Sequence, residues 1–320
     1  MAILTKFKQK DFEKILEHYN IGKYKSHEHI DVALGNTVYS ITTTKGKYIL
    51  KIFEAVKHHY IDFQVKIMQY LLQNNLPLPK LILTNDDDVI LNYKKSELMV
   101  QKFVKGIIPK RKASNALFKD IARNHALMNK ALIKLKITGK YTWGEDYQFG
   151  KWNHKLTKFG EYNLKKESMQ IAKELRKLDK TKLRKSIIHG DFHFVNLLVR
   201  NNKLVAILDL DDVHEDFLAQ DIANFLAHAF SRQGVLNKEG IRLYMGEYQK
   251  YQKLNIEERK ALFYFIKNRL ISAAAWLANQ AKNHNDLKDR VESYAKGALV
   301  NYNAFNQISL SEFEDLVNFK

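Results

Sequence analysis

The chain has 320 residues, of which 45% are hydrophobic, so it is long enough to bury one large core or two ordinary ones. It contains no cysteine, which excludes disulfides, thiolate metal sites and a cysteine nucleophile. No apolar run reaches the roughly 18 residues that a membrane-spanning helix needs, and the N-terminal residues lack the layout of a signal peptide. We therefore expect a cytoplasmic protein without a membrane partner.

The formal net charge is +18, which raises the question of an anionic partner. Most of the positive charges are lysines scattered along the chain. Proteins that bind nucleic acid rely more on arginine and on clustered positive charge. The composition therefore argues against nucleic acid and is compatible with a smaller anionic ligand such as a nucleotide.

In chain order, the first hundred residues combine two helical patterns with several strand patterns. Residues 11–20 read as a short amphipathic helix, and residues 60–75 place apolar side chains on one helical face before two prolines end the pattern. β-branched and aromatic content between turn signals predicts strands. The predicted strands are residues 27–34, 36–44, 47–54, 80–83, 88–92 and 97–104.

After Gly106 the pattern changes. From residues 115–135 onwards most segments have helical periodicity, interrupted only by two short strand pairs around residues 187–199. The sequence therefore predicts an α+β protein with a sheet-rich N-terminal lobe over residues 1–104 and a larger, mainly helical lobe over residues 105–320. A cleft between two lobes is a preferred ligand site.

The stretch IIHGDFHFVNLLV places Asp191 and, five residues later, Asn196 between two apolar runs. A second acidic segment, ILDLDDV, contains Asp209 and Asp211. Phosphoryl transfer uses an Asp to orient an attacking hydroxyl and accept its proton, and uses Asn and Asp oxygens to hold Mg²⁺ with nucleotide phosphates. The alternative is a surface turn in which polar residues cluster by chance.

Residues 187 to about 227 resemble the aminoglycoside phosphotransferase and choline kinase superfamily, and a looser resemblance covers nearly the whole chain. That superfamily has the bilobal protein-kinase-like fold, with a small antiparallel-sheet nucleotide lobe and a larger helical lobe for catalysis and substrate. The resemblance implies that Asp191 is the catalytic base. It implies that Asn196 and Asp209 bind the metal, with Asp211 as a further ligand or a support. LDLDDVHEDFLAQDIANFL most resembles the branch with type II homoserine kinases, hydroxylysine kinases and a stress-response Ser/Thr kinase.

The same resemblance assigns residues of the N-terminal lobe to ATP. Lys51, a cation in an apolar strand, is similar to the lysine that holds the α- and β-phosphates. The helix glutamate that pairs with this lysine aligns with Gln64, which supplies no charge. A shift of the alignment by one turn would make Glu54 or Asp62 the partner.

Adenine is expected to bind main-chain groups of Gln101 and Phe103, and the hairpin at residues 34–38 is expected to cover the phosphates. An ordinary hairpin turn is the alternative for that segment.

Five further residues are candidates for the site or for its support. His193 is either a contact to phosphate or substrate, or a structural histidine. Arg269 could bind a substrate carboxylate, although a surface arginine is the preferred interpretation. By resemblance, Asp221 braces the backbone of the catalytic loop, while His125 and Trp276 are expected in the core.

Together these patterns predict an ATP- and Mg²⁺-dependent phosphotransferase that acts on a hydroxyl group of a small metabolite. A homoserine-like amino acid or an amino alcohol is the favoured substrate. The alternatives are a stress-response Ser/Thr protein kinase, an aminoglycoside phosphotransferase, which the basic charge disfavours, and a catalytically silent pseudokinase scaffold. The sequence does not determine the oligomeric state.

Overall fold

The computed structural model describes residues 5–30, 36–54, 58–110, 113–137, 158–283 and 288–318. The chain forms two compact units, one comprising Met1–Gly106 with Val205–Leu208 and the other Ile107–Leu204 with Asp209–Lys320. An antiparallel sheet dominates the first unit and helices dominate the second, which confirms the predicted α+β fold class. The assignment of nucleotide binding to one unit and of catalysis to the other stays a prediction.

The first unit contains a six-stranded sheet with helices α1 and α2. The strand order is β1-β2-β3-β6-β4, β5 also pairs with β6, and every pair is antiparallel. The helices are α1 (Gln9–Glu17) and α2 (His58–Gln73), and the strands are β1 (Tyr24–His29), β2 (Thr37–Thr43), β3 (Gly46–Phe53), β4 (Leu81–Ile82), β5 (Ile90–Tyr93) and β6 (Ser96–Lys102).

Strand β3 buries the side chains of one face in the core and carries Lys51 on its other face. Tyr48, Leu50 and Ile52 alternate along the strand and are buried in the core beside α1, because successive side chains of a strand point to opposite faces. Lys51 lies on the other face and is partly exposed. Its register is opposite Val38 on β2 and Met99 on β6.

Strand β1 differs from its prediction. It spans Tyr24–His29 rather than residues 27–34, and residues 31–34 lie outside the described residues. Four of its six side chains are exposed, because β1 is an edge strand that pairs only with β2. An exposed polar edge strand lacks the β-branched and aromatic pattern on which the prediction relied. The other strand predictions of this unit differ from the structure only at their ends.

In the described part of the second unit helices predominate, as predicted, but three short strand pairs accompany them where two were predicted. The additional pair is β11 with β12, and most of β9 belongs to the first unit. Strand β7 pairs with β10 and β8 pairs with β9, on either side of the His-Gly-Asp motif. Helix α5 is almost entirely buried and packs against the long helix α7, while α3 packs against α6. The helices are α3 (Asn115–Leu132), α4 (Leu164–Lys177), α5 (Leu218–Ala229), α6 (Lys238–Tyr248), α7 (Ile256–Asn283), α8 (Lys288–Asn306) and α9 (Leu310–Val317), and the strands are β7 (Lys185–Ile188), β8 (Leu197–Arg200), β9 (Lys203–Ile207), β10 (His214–Phe217), β11 (Ser231–Arg232) and β12 (Val235–Leu236).

Across the described ranges, the helices are too short or too polar for any of them to cross a bilayer.

Candidate active site

The loop between β7 and β8, residues 189–196, carries the predicted catalytic aspartate. Gly190 begins the turn with φ +80°, a backbone conformation that residues with a side chain rarely adopt. A Cβ atom at this position would lie 2.1 Å from the carbonyl oxygen of Asp212. The loop therefore needs glycine here for its backbone conformation and for the close approach of the segment before β10.

Three side chains donate hydrogen bonds to the Asp191 carboxylate. Arg269 Nη2 lies 2.6 Å from Oδ1 and forms an ion pair with it. His193 Nε2 and Asn196 Nδ2 both lie 3.0 Å from Oδ2. Asn196 Nδ2 also lies 2.9 Å from the main-chain oxygen of Asp191. The structure therefore brings together Asp191, His193, Asn196 and Arg269, all of which were candidates from the sequence.

The Asp191 side chain remains 22% exposed, so the carboxylate is accessible while it is held. Burial acts to raise its pKa, but the interactions with His193 and the positive charge of Arg269 outweigh that effect. The pKa of Asp191 is therefore well below its ordinary value, and the group is a carboxylate at neutral pH.

Arg269 is not a surface arginine, so the preferred sequence interpretation is wrong. Its side chain is only 20% exposed, because it lies on the long helix α7, which packs against α5. Asn268 and Ser272 on the same helix are fully buried. A cation that is mostly buried needs an anionic partner. The carboxylate of Asp191 is that partner.

The imidazole of His193 has a defined tautomer. The main-chain N–H of Val195 donates to His193 Nδ1 over 3.3 Å, so Nε2 carries the proton that is donated to Asp191. The His193 ring also lies 5.8 Å, between centroids, from the ring of His228 in the last turn of α5. His228 was not predicted from the sequence, because no spacing rule connects it to the loop.

The predicted metal ligands have the right chemistry for Mg²⁺. Asp209 is exposed and has φ +59°, an uncommon left-handed conformation for a residue other than glycine, and Asp211 is partly buried. Asn196 uses its amide nitrogen for Asp191, which leaves its amide oxygen for a cation. Hard oxygen ligands of this kind suit Mg²⁺. Within the described ranges no three His, Cys, Asp or Glu residues gather as a metal cluster.

In the first unit, the partner of Lys51 stays a prediction, with Gln64, Glu54 and Asp62 as the candidates. The Glu54 carboxylate accepts hydrogen bonds from the Thr5 N–H and hydroxyl, at 2.9 and 3.0 Å, and from the Thr37 hydroxyl. Gln64 on α2 is only 2% exposed.

The two residues expected to bind adenine lie where β6 ends. Gln101 is paired with Ile49 on β3 and with Leu81 on β4. The Phe103 N–H donates to the Lys47 carbonyl over 3.2 Å, so a nucleotide could use this donor only by replacing that bond. Of the predicted phosphate-covering hairpin, residues 34 and 35 lie outside the described residues.

The predicted brace of the catalytic loop is confirmed. Gly190 N–H donates to Asp221 Oδ1 over 3.1 Å, and Asn224 Nδ2 donates to the Gly190 carbonyl over 2.6 Å. His125 is fully buried, as expected for a core residue, and Trp276 is partly buried.

A partly exposed, hydrogen-bonded aspartate on a loop between short strands, next to a second acidic turn in an α+β fold, is the arrangement expected of a kinase-like phosphotransferase. The sequence profile of the phosphotransferase enzyme family matches residues 29–254, and the chain belongs to this family.

Relatives of known activity agree with this class. Homoserine kinase from Sinorhizobium medicae is 26% identical over 271 residues, which cover 82% of this chain and 81% of that protein. Homoserine kinase from Rhodospirillum rubrum is 24% identical over 273 residues, or 82% of this chain and 83% of that protein.

Two solved structures share the fold. Amicoumacin kinase hAmiN, in complex with AMP-PNP, Ca²⁺ and Ami, has a TM-score of 0.75 at 15% identity and covers 95% of each chain. A microcompartment-associated aminopropanol kinase has a TM-score of 0.74 at 16% identity and covers 91% of this chain and 95% of its own. The predicted superfamily is thereby confirmed, and the protein is a small-molecule-kinase-like phosphotransferase with a hydroxyl acceptor.

Proposed function

We propose that this enzyme transfers the γ-phosphate of ATP, with Mg²⁺, to the hydroxyl group of a small, homoserine-like amino acid. The observation that carries the proposal is the contact between Asp191 and Arg269, whose guanidinium lies 2.6 Å from the carboxylate. A substrate that bears both a hydroxyl and a carboxylate would use the two residues together, because a guanidinium binds carboxylates through two parallel hydrogen bonds. The relatives from Sinorhizobium medicae and Rhodospirillum rubrum are homoserine kinases.

The hydrogen bonds of Asp191 leave it room for a substrate hydroxyl. An ionised carboxylate has about four lone-pair positions, and in the described part of the chain three donors reach this one. Of these three, His193 and Asn196 donate to Oδ2, whereas Arg269 donates to Oδ1. The hydroxyl of the substrate would donate to Oδ1, which orients its oxygen toward the phosphate.

The low pKa of Asp191 determines how it can act on that proton. A weakly basic carboxylate does not deprotonate an alcohol before the reaction begins. In a loose phosphoryl-transfer transition state the alcohol becomes acidic only as the new bond forms, so the proton passes to Asp191 late. Asp191 therefore serves first to orient the hydroxyl and then to accept its proton.

The remaining roles follow from the resemblance to the family, and the chemistry of each residue suits its role. Asn196 and Asp209, with Asp211 as a further ligand or a support, would hold the Mg²⁺, which neutralises charge on the phosphates. Lys51 would bind the α- and β-phosphates, and main-chain groups near Gln101 and Phe103 would bind adenine.

The test compares L-homoserine with 3-amino-1-propanol, which keeps the amine and the hydroxyl and lacks the carboxylate. With MgATP, we expect kcat/KM for L-homoserine to be higher by about 10² or more, because a site built for a polar group rejects an analogue without it. Arg269→Gln should remove most of this preference. Equal use of both compounds by the unchanged enzyme would contradict the amino-acid proposal and favour an amino alcohol, as in the aminopropanol kinase.

The same assay, extended to a Ser/Thr peptide and an aminoglycoside, distinguishes a small-molecule kinase from a protein kinase and from a drug-modifying enzyme. The cation Arg269 beside Asp191 disfavours polycationic drugs by repulsion. A complete Asp191, Asn196 and Asp209 set argues against a silent pseudokinase. Transfer to the peptide alone would identify a protein kinase.

A further inference from the structure

Two tyrosines of α6 reach two polar residues of α3 in the core of the second unit. Tyr244 Oη lies 2.6 Å from His125 Nδ1, and Tyr248 Oη lies 3.1 Å from Asn129 Nδ2. All four side chains are fully buried. The two pairs are one helical turn apart, so they are near-equivalent contacts in the same environment.

Among the described hydrogen bonds, those of the first pair continue to the loop that holds Asp191, and the ring of Tyr248 contacts His125 edge-on with centroids 5.5 Å apart. His125 Nε2 lies 3.1 Å from Asp221 Oδ2, and Asp221 Oδ1 accepts the hydrogen bond from Gly190 N–H. Gly190 immediately precedes Asp191. Tyr244, His125 and Asp221 therefore form a buried chain of hydrogen bonds that ends on the backbone next to the catalytic carboxylate.

The chemistry of the groups defines the direction of each hydrogen bond. Burial lowers the pKa of His125, against the opposing effect of Asp221, so the imidazole is neutral and carries one proton. Hydrogen bonds from His125 and Gly190 keep Asp221 ionised although burial acts to raise its pKa. A carboxylate can only accept, so the proton is on Nε2, and Nδ1 accepts from the Tyr244 hydroxyl. Tyr244 therefore selects the tautomer that His125 needs in order to bind Asp221.

His125 also contacts the residue on the other side of Asp191. Its ring stacks on the buried ring of Phe192, with centroids 3.8 Å apart and an interplanar angle of 16°. The two neighbours of Asp191 in the chain, Gly190 and Phe192, are thus both tied to one imidazole, the first through Asp221 and the second directly.

We propose that His125 and Tyr244 are positioning residues that hold the backbone on both sides of Asp191 in the orientation required for phosphoryl transfer. The inference rests on the proposed catalytic role of Asp191. Reactions of this kind are sensitive to small displacements, since a shift of about 1 Å can cost about 10² in rate. Without the tyrosine hydroxyl, the other tautomer of His125 becomes accessible, and it presents an unprotonated nitrogen to the Asp221 carboxylate.

The first test uses Tyr244→Phe with Tyr248→Phe as the matched control and measures hydrogen exchange at the Gly190 amide. Each variant loses one buried hydroxyl and one hydrogen bond to α3. We expect the Gly190 amide to exchange about tenfold faster in Tyr244→Phe and within about twofold of the unchanged protein in Tyr248→Phe. Equal exchange in the two variants would overturn the proposal. This readout needs no substrate.

The second test measures kcat and KM with MgATP and L-homoserine. Tyr244→Phe should lower kcat about tenfold with little change in KM for ATP, and Tyr248→Phe should change neither. His125→Phe, which keeps the stacking ring and loses both hydrogen bonds, should lower kcat at least as much. If His125→Phe fails to fold, the tyrosine pair still decides the question.

The two tests separate this inference from the proposed function. Faster Gly190 exchange in Tyr244→Phe, with no transfer to L-homoserine by the unchanged enzyme, would refute the substrate and support the positioning role. Transfer to L-homoserine with equal kcat in the two tyrosine variants would support the substrate and overturn the positioning role.

Discussion

Asp191 follows Gly190 in the chain and Asp221 accepts the hydrogen bond of the Gly190 N–H, but the surroundings of the two carboxylates differ. Asp191 is 22% exposed, is held by a cationic Arg269, and has a lone-pair position available on Oδ1. Asp221 is completely buried, and its two oxygens accept from Gly190 N–H and from a neutral His125. Both pKa values are lowered. Access and partners, rather than ionisation, therefore distinguish a carboxylate that can meet a substrate from one that supports a loop.

Asp191→Asn should give the largest effect on activity. We expect turnover to fall by about 10² or more, because the amide neither accepts the hydroxyl proton nor orients it in the same way. The fold should persist, but the free energy of unfolding should fall by roughly 1–3 kcal/mol, because the change removes the negative charge that pairs with the mostly buried guanidinium of Arg269. Steady-state kinetics and chemical denaturation of the same preparation test both statements, and near-normal turnover would remove Asp191 from the mechanism.

Asp209→Ala tests the exposed carboxylate that we propose as a metal ligand. Removal of a charged oxygen ligand should abolish the Mg²⁺ dependence of nucleotide affinity while the protein stays folded, because Asp209 is exposed. Titration of Mg²⁺ against ATP affinity measures this. If the dependence persists unchanged, the metal is held by other residues.

Asp221→Ala should lower both the stability of the fold and kcat, because it removes the acceptor that holds the Gly190 N–H next to Asp191. It leaves His125 and the Gly190 N–H without their buried acceptor, so the free energy of unfolding should fall by about 2 kcal/mol. Denaturant titration measures the loss. A variant as stable as the unchanged protein would mean that Asp221 is not the structural member of the pair.

Gln64→Glu tests whether a carboxylate in the first unit acts through its cationic neighbour. If Gln64 meets Lys51, a carboxylate at this position should change the apparent ATP affinity or the turnover by at least about twofold. The direction is open, because the carboxylate both orients the ammonium and competes with phosphate for it. A Lys51→Met background should remove the effect, and the double-mutant cycle tests this. An equal effect with and without Lys51 would show that the side chains do not meet.

Asp11→Asn gives the smallest effect and shows that a lowered pKa alone does not mark a catalytic group. Asp11 lies 2.7 Å from the exposed Lys94, and this hydrogen bond, together with that from the Lys8 N–H, lowers its pKa to about 2. A depressed pKa stabilises the folded state above the unfolded value of about 3.9, and this contribution is lost as pH falls toward 2. The difference in unfolding free energy between the unchanged protein and Asp11→Asn should therefore shrink below pH ~4, with activity at neutral pH unaffected. A difference that does not vary with pH would contradict the assignment.

The loop at residues 189–196 could be recognised as a candidate site because its pattern is local in sequence, and the catalytic role of Asp191 stays a prediction. Asp191, Asn196 and Asp209 follow a fixed spacing between apolar strands, and Gly190 is required by one backbone angle. The sequence indicates Arg269 as a possible carboxylate ligand, but by itself it favours a surface arginine. Its partner is 78 residues away, and only the packing of α7 brings them together.

The remaining differences between sequence and structure have the same origin. Arg269 is the first residue of RLISAAAWLA, a stretch of small and apolar residues. This context indicates that the side chain of Arg269 is not on the surface. His125 has an ordinary core pattern, and its link to the loop depends on contacts among three separate helices. Strand β1 is an edge strand, for which hydrophobic pattern carries little information.

The role of Asp191 in phosphoryl transfer to an amino acid is tested most directly by ³¹P NMR. The unchanged enzyme and Asp191→Asn are each incubated with MgATP and L-homoserine. We expect a new phosphate-ester signal that grows as the γ-phosphate signal of ATP declines. In the variant this signal should grow at least about 10²-fold more slowly. A phosphate ester that forms equally fast with Asp191→Asn, or no ester while the enzyme binds MgATP, would contradict this mechanism.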